Sequence, residues 1–499
     1  MVQEQARPRD YGGWRRRRGI GLWGLGAAGT FAVLAAAVLV ILVAAVDVRA
    51  LAYVAPSALI ACGLGLARTG GEPVALRAVR RLRWWHASAR GYTRYRSAVV
   101  AEHAAGFTLP GVLAPAALLS AEDGYGGLYG IVWDRRTGML TPTLRVVPAS
   151  TWLADRGDAD SWVANWGGWL ASLGYVPALK WVTVTVDTAP EPGSTLADAV
   201  AGAVDPAAPA AARTIMSQLV AAAPAAAADV DTRVSLTFDP KASPAAPGNL
   251  TEAAAEAGRA LIGLESALGS CGVTVLGRLS ESEIAGVVRA AFDPAARGEI
   301  LRIAARARTG TGAGAAPLEW AEAGPVGAEE FPDHYRHDGG LSVTWAWHEA
   351  PRQNVTADVL ARLITPGPYP KRVAMQYRPF PAAAATRVLE AEVNAAAFRE
   401  RYRHRTGRDE TARDAHDQAR ARQAAAEEAA GAGVCLISMF VTVTVASAGD
   451  LAQAAAWTEA AAESSKIRLR RMTYSQAAGF AATLPCGICP ADLARRMPH

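Results

Sequence analysis

Ala27–Val46, AAGTFAVLAAAVLVILVAAV, runs twenty residues without a charge. At about 1.5 Å of rise per residue it makes a helix of roughly 30 Å, the thickness of a bilayer's hydrocarbon core. Asp47, Val48 and Arg49 follow, and Ala50–Ala67 is again uncharged. Two such stretches around so tight a turn predict a transmembrane hairpin over 27–67, its outer ends on one side. A cleaved signal peptide is the competing reading, because arginines precede the apolar run. Signal cores are usually only about 7–15 residues, and no second span follows them at once.

The charges are unevenly spread. Residues 1–96 hold fifteen arginines against Glu4, Asp10, Asp47 and Glu72, a net +11, so the overall +5 leaves −6 for the rest. Arg7, Arg9, Arg15, Arg16, Arg17 and Arg18 precede the first span; Arg68, Arg77, Arg80, Arg81, Arg83, Arg90, Arg94 and Arg96 follow the second. The positive-inside rule then places both flanks, and the whole soluble portion, on the cytoplasmic side of the inner membrane. Arg15–Arg18, Arg77, Arg80, Arg81, Arg83 and Arg90 become candidate lipid contacts, each worth about 1 kcal/mol against an anionic leaflet. The pI near 9 thus reflects the membrane flanks, and no patch of nucleic-acid size is expected on the soluble part. Five scattered cysteines give no disulfide framework, which suits a reducing compartment.

The organisation follows from composition and periodicity. A basic tail over 1–26 and the hairpin over 27–67 precede a basic juxtamembrane helix over 68–97, with Leu76, Val79, Leu82 and Trp85 at helical spacing. A first α/β domain covers 98–304, a Gly/Ala-rich linker 305–327, and a second α/β domain with a long polar helix 328–499. Trp181–Val186 (WVTVTV) and Val441–Val445 (VTVTV) alternate as strands with one buried and one wetter face. Strand–helix–strand order recurs in both domains, which invites an α+β reading as a duplicated ferredoxin-like region.

Signatures of chemistry are sparse. None of Lys180, Lys241, Lys371 or Lys466 follows a glycine, so no P-loop cradles a nucleotide phosphate. The glycines of DGYGG precede a strand, Leu128–Trp133, and read as a hairpin turn. Asp333, His334, His337 and Asp338, with His348 beyond, form the densest set of metal-ligand residue types, although Pro332 and Gly339-Gly340 favour an exposed loop. Cys486 and Cys489 form a lone CxxC whose helix would be short. Arg401–Glu428 mixes both charges with almost no large apolar residue, as a solvated helix or partner-binding arm does.

Met472–Pro490, MTYSQAAGFAATLPCGICP, resembles the segment that closes the N-terminal domain of the conjugation ATPases of type IV secretion, just before their nucleotide-binding domain. The stretches RPRDYGGWRRRRGIGLWGLG and HDGGLSVTWAWHEAPRQ resemble a family of actinobacterial integral-membrane proteins of conjugation-type loci, which accompany such ATPases and small PrgI-like membrane subunits. A looser likeness is to EccE, a membrane component of type VII secretion. The first resemblance implies a non-enzymatic inner-membrane docking component without a cofactor, working in an oligomeric assembly with a separate ATPase and small membrane subunits. It points to Gln476, Phe480, Leu484 and Pro485 as partner-binding residues. The rival expectation is a membrane-anchored enzyme that uses the His/Asp loop or the CxxC.

Overall fold

The computed structural model describes residues 11–12, 27–46, 49, 54, 56, 63, 67–69, 72–97, 108–122, 127–150, 154–190, 200, 203–205, 207–222, 228–309, 317–351, 353–381, 384–390, 419, 422–427 and 433–496. The chain divides into two compact units. One comprises Met1–Gly13, Arg94–Val393 and Thr411–His499, the other Trp14–Thr93 and Asn394–Glu410.

The smaller unit contains helix α1 (Ala27–Val46) and helix α2 (Val74–Ala89), the latter preceded by a two-residue ribbon of Arg68–Thr69 with Glu72–Pro73. Helix α1 has the expected bounds, but its described side chains cover only 33–38 and 40–46. Most of Ala50–Ala67 lies outside the described residues. Among the described residues, no helix is long and apolar enough to cross a membrane. The two-helix transmembrane hairpin is therefore set aside, together with the two-pass inner-membrane placement and cytoplasmic termini deduced from it. Tyr11 belongs to the larger unit. Tyr11 exchanges both backbone hydrogen bonds with Val355 at 2.8 Å, and its hydroxyl donates to Asp160 at 2.8 Å.

The larger unit is organised by one antiparallel sheet of thirteen strands, in place of a transmembrane hairpin followed by two separate α/β domains. In chain order these are β1 (Arg94–Arg96), β2 (Ala116–Glu122), β3 (Leu128–Asp134), β4 (Leu140–Pro148), β5 (Leu179–Pro190), β6 (Ala228–Phe238) and β7 (Val273–Arg278). There follow β8 (Gly327–Glu330), β9 (Tyr335–His337), β10 (Gly340–Glu349), β11 (Lys371–Pro379), β12 (Cys435–Val445) and β13 (Arg468–Arg471). Spatially the order is β1-β8-β9-β10-β12-β11-β5-β6-β4-β3-β2, with β13 on β10 and β7 on β4.

The wiring occurs twice. Helix α3 (Arg156–Ser172) lies between β4 and β5, and α5 (Leu250–Leu268) between β6 and β7, giving spatial order β7-β4-β6-β5. Correspondingly, α8 (Ala361–Ile364) lies between β10 and β11, and α9 (Leu451–Ser464) between β12 and β13, giving β13-β10-β12-β11. Each set follows the strand order of a β-α-β-β-α-β unit, with further helix between its middle strands: α4 (Ala210–Ala222) between β5 and β6, and residues 384–390 and 422–427 between β11 and β12. They join where β5 pairs with β11, from Val182↔Tyr377 to Thr188↔Lys371, so the sheet runs unbroken across both. The two VTVTV strands are not counterparts, since β5 opens its hairpin and β12 closes its own.

Local sequence explains the elements. Asn249 caps α5 by accepting the Glu252 N–H at 2.8 Å, a contact worth about 1 kcal/mol. Ala257, Leu261, Leu264 and Leu268 of α5 then recur on one buried face. They meet Leu144, Val182, Val234 and Leu236 of the sheet, Trp169 of α3 and Leu173 just after it. On the same side of the second half, α8 and α9 cover Val343, Trp345, Val441 and Val443. Full burial of each such aliphatic side chain contributes roughly 1.5–3 kcal/mol.

The opposite side is covered by other elements. Ile284, Val288 and Phe292 of α6 (Glu281–Phe292) and Phe480 and Ala481 of α10 (Gln476–Ala482) pack with Val132 and Tyr335. A capping box between Ser280 and Glu283 starts α6. Within the expected linker, helix α7 (Arg297–Thr309) covers the first residues, 310–316 lie outside the described residues, and Ala323 is fully buried ahead of β8.

Candidate functional site on the polar face of the sheet

The covered face beneath α6 and α10 is polar. Thr141 of β4 meets Thr237 of β6 at 3.1 Å, and Thr143 meets Ser235 at 2.9 Å. In the second half, Ser342 of β10 meets Thr444 of β12 at 2.8 Å, and Thr344 meets Thr442 at 2.9 Å. All eight are buried. Each hydroxyl is satisfied by a cross-strand neighbour, which removes the cost of burying it unpaired.

A charged cluster sits where the halves join. Asp187 of β5 accepts from Arg233 Nη2 of β6 at 2.9 Å and from Arg297 Nη1 of α7 at 3.1 Å. Arg297 also donates to Asp229 at 2.7 Å, and Arg233 to Asp231. Arg145 links Asp231 at 3.3 Å to Glu283 at 2.8 Å. Arg372 of β11 pairs in register with Asp187. Its Nε donates to Thr483 Oγ1 at 3.1 Å, and its guanidinium lies 4.8 Å from the Phe480 ring centroid. Burial alone would push the Asp187 carboxyl up, but Arg297, Arg233 and Arg372 outweigh it and hold it well below the usual carboxylate range. Burial draws Arg372 down to about 10. Asp187 therefore stays ionised at neutral pH and ties β5 to β6 and α7 through Arg233 and Arg297.

The C-terminal segment seals this face. Gln476 Oε1 accepts the Thr344 N–H at 2.8 Å, Thr483 reaches Thr442 at 3.4 Å, and Gln376 donates to the Ile488 carbonyl at 2.7 Å. Gly487 has φ +64°, and a Cβ there would lie 2.2 Å from Thr141 Oγ1, so only glycine fits the approach. Gln476, Phe480, Leu484 and Pro485, expected as partner contacts, are all buried against this sheet. They shape the body and present no outer surface.

The other expected sites fall apart spatially. His337 is buried, with Nδ1 against the Phe292 carbonyl and Nε2 2.8 Å from Ser342 Oγ. Burial pushes its pKa down to about 4, so it is neutral. His334 instead stacks on Phe331, centroids 4.5 Å apart, and contacts Asp333 at 2.9 Å. Asp338 accepts the Val326 and Gly327 N–H groups at 2.9 Å, a loop-fixing role. Among the described residues no group of three His, Cys, Asp or Glu could hold a metal. Burial pushes the Cys486 thiol up to about 12 and also raises Cys489. Neither therefore has the thiolate character of a redox cysteine.

Arg15–Arg18 lie outside the described residues, as does nearly all of Arg401–Glu428. Arg77, Arg80, Arg81 and Arg83 lie on α2, and Arg90 directly follows it. Sequence reasoning missed Asp187, Arg233, Arg297 and Arg372. The available signal was a charge inside runs otherwise rich in β-branched residues, as in VTVTVDT and DTRVSLTF. No protein-family model matches the chain, and comparison with curated proteins gives no match either.

Proposed function

We propose that the chain is a non-catalytic docking component of a conjugation-type secretion apparatus, recruiting a separate ATPase and assembling with fellow subunits. One observation supports this reading above the others. Gln476–Pro490, the segment that resembles the closing element of conjugation-ATPase N-terminal domains, is itself a closing element here. Its Gln476, Phe480, Leu484 and Pro485 are buried, and through Gln476, Thr483 and the Ile488 carbonyl the segment joins Thr344 of the second half to Arg372 and Gln376 at the centre. A body locked in this way offers a partner a stable shape, and its most concentrated buried charges are spent on holding strands together.

The test has two arms. Purified full-length chain should hydrolyse no ATP in the presence of magnesium. When co-expressed with a conjugation-type ATPase from the same genome, the chain should co-purify as a defined complex. Hydrolysis by the chain alone, or no complex with that ATPase, overturns the reading.

A further inference from the structure

Helix α2 presents the wrong face to the outside for a self-contained protein. At 100° per residue, Val79, Leu82 and Trp85 fall within one sector of its surface. They are 50%, 68% and 66% exposed, respectively. An amphipathic helix ordinarily turns such a sector inward. Its borders are cationic: Arg81 falls about 40° beyond Trp85 on one side, and Arg83 about 40° beyond Val79 on the other. Both arginines are exposed. From Val74 to Thr93 there is no aspartate or glutamate, while Arg77, Arg80 and Arg90 add to the positive charge.

We propose that α2 lies on an anionic phospholipid surface. Val79, Leu82 and Trp85 enter the boundary between headgroups and acyl chains, and Arg81 and Arg83 reach sideways to the phosphates. Charge complementarity selects this occupant. An apolar sector bordered by arginine along both sides matches a plane with an apolar interior and anionic charge on either flank of the helix. Such a contact lies on the bilayer and needs no spanning helix, and it stands apart from ATPase recruitment.

The test is co-sedimentation of the full-length chain with vesicles of phosphatidylcholine alone or of phosphatidylcholine mixed with phosphatidylglycerol. Binding should be at least about tenfold stronger to the mixed vesicles and should weaken with added salt. Arg81→Gln/Arg83→Gln should remove the preference for the mixed vesicles. Leu82→Asp/Trp85→Ser should reduce binding to them by about tenfold or more. All four side chains are exposed, so urea midpoints should match wild type. Equal binding to both vesicle types, no binding to either, or wild-type binding by both double variants overturns the proposal. That result would leave the ATPase arm above unaffected.

Discussion

The two halves of the sheet share a wiring diagram but little else. Between the first and second strands of its unit, the first half has a seventeen-residue helix, α3, whereas the second has the four-residue α8. Their last strands differ too: β7 reads VTVLGR and β13 reads RLRR. What recurs is the strand order and a pair of hydroxyl rungs between corresponding strands, β4 with β6 and β10 with β12. Helices on the apolar side can be lengthened or shortened as long as some apolar surface covers the strands. A buried polar face has less freedom, because every hydroxyl must find its partner at a fixed register. The charges break the likeness. Asp187, Arg233 and Arg297 belong to the first half, and only Arg372 crosses the junction from the second.

This comparison can be broken most forcefully at Asp187. Replacing it with alanine leaves Arg233 and Arg297 buried without their shared carboxylate, and should cost about 3–5 kcal/mol in urea unfolding. A loss below about 1 kcal/mol would mean that Asp229 and Asp231 suffice, and that the charged junction is incidental.

Next comes the second half's buried histidine. The folded state disfavours the charged His337, so the unfolded chain binds more protons between pH 6.5 and about 4. Stability is full above 6.5 and should fall by about 3 kcal/mol as pH drops through that window. His337→Gln should flatten this part of the profile relative to wild type. An unchanged acid limb in chemical denaturation would assign the titration elsewhere.

Gly487→Ala tests the closing segment against the first half's rungs. Between the clash with Thr141 and the left-handed backbone, destabilisation of about 1–3 kcal/mol is expected. A neutral result would show that the segment can lift from β4 without loss.

The smallest effect is the most pointed. Double-mutant cycles on Thr143/Ser235 and on Thr344/Thr442, with valine for threonine and alanine for serine, should give coupling energies of about 0.5–1.5 kcal/mol. They should agree between halves within about 0.5 kcal/mol. Coupling in one half alone would reduce the rungs to a coincidence of composition.

Strands and helices were largely legible in the residues; their partnership was not. The alternation in WVTVTV located β5, and the periodic apolar residues after Asn249 located α5. A period of two, however, reports only that successive side chains face opposite ways. It made Val182–Val186 and Val441–Val445 look like counterparts, although they hold different places in the two units. The threonines of these strands suggested a wetter face. Thr183, Thr185, Thr442 and Thr444 are instead buried, since α6, α10 and the C-terminal segment cover that side. The charged cluster was hidden for a related reason: its members are spread from Arg145 to Arg372 in sequence and converge only through strand pairing, α6 and α7. Gln476, Phe480, Leu484 and Pro485 were singled out by likeness alone, and their burial under the sheet's polar face had no separate signal in the segment.

The junction of β5 with β11 carries a mechanical consequence. Seven consecutive residue pairs, Lys371↔Thr188 through Tyr377↔Val182, stitch one half to the other without a bulge. A tug along either strand loads those backbone hydrogen bonds in shear, all together, instead of peeling them one by one. Force drawn along either strand is therefore shared by both halves, because the seam between them is itself part of the sheet.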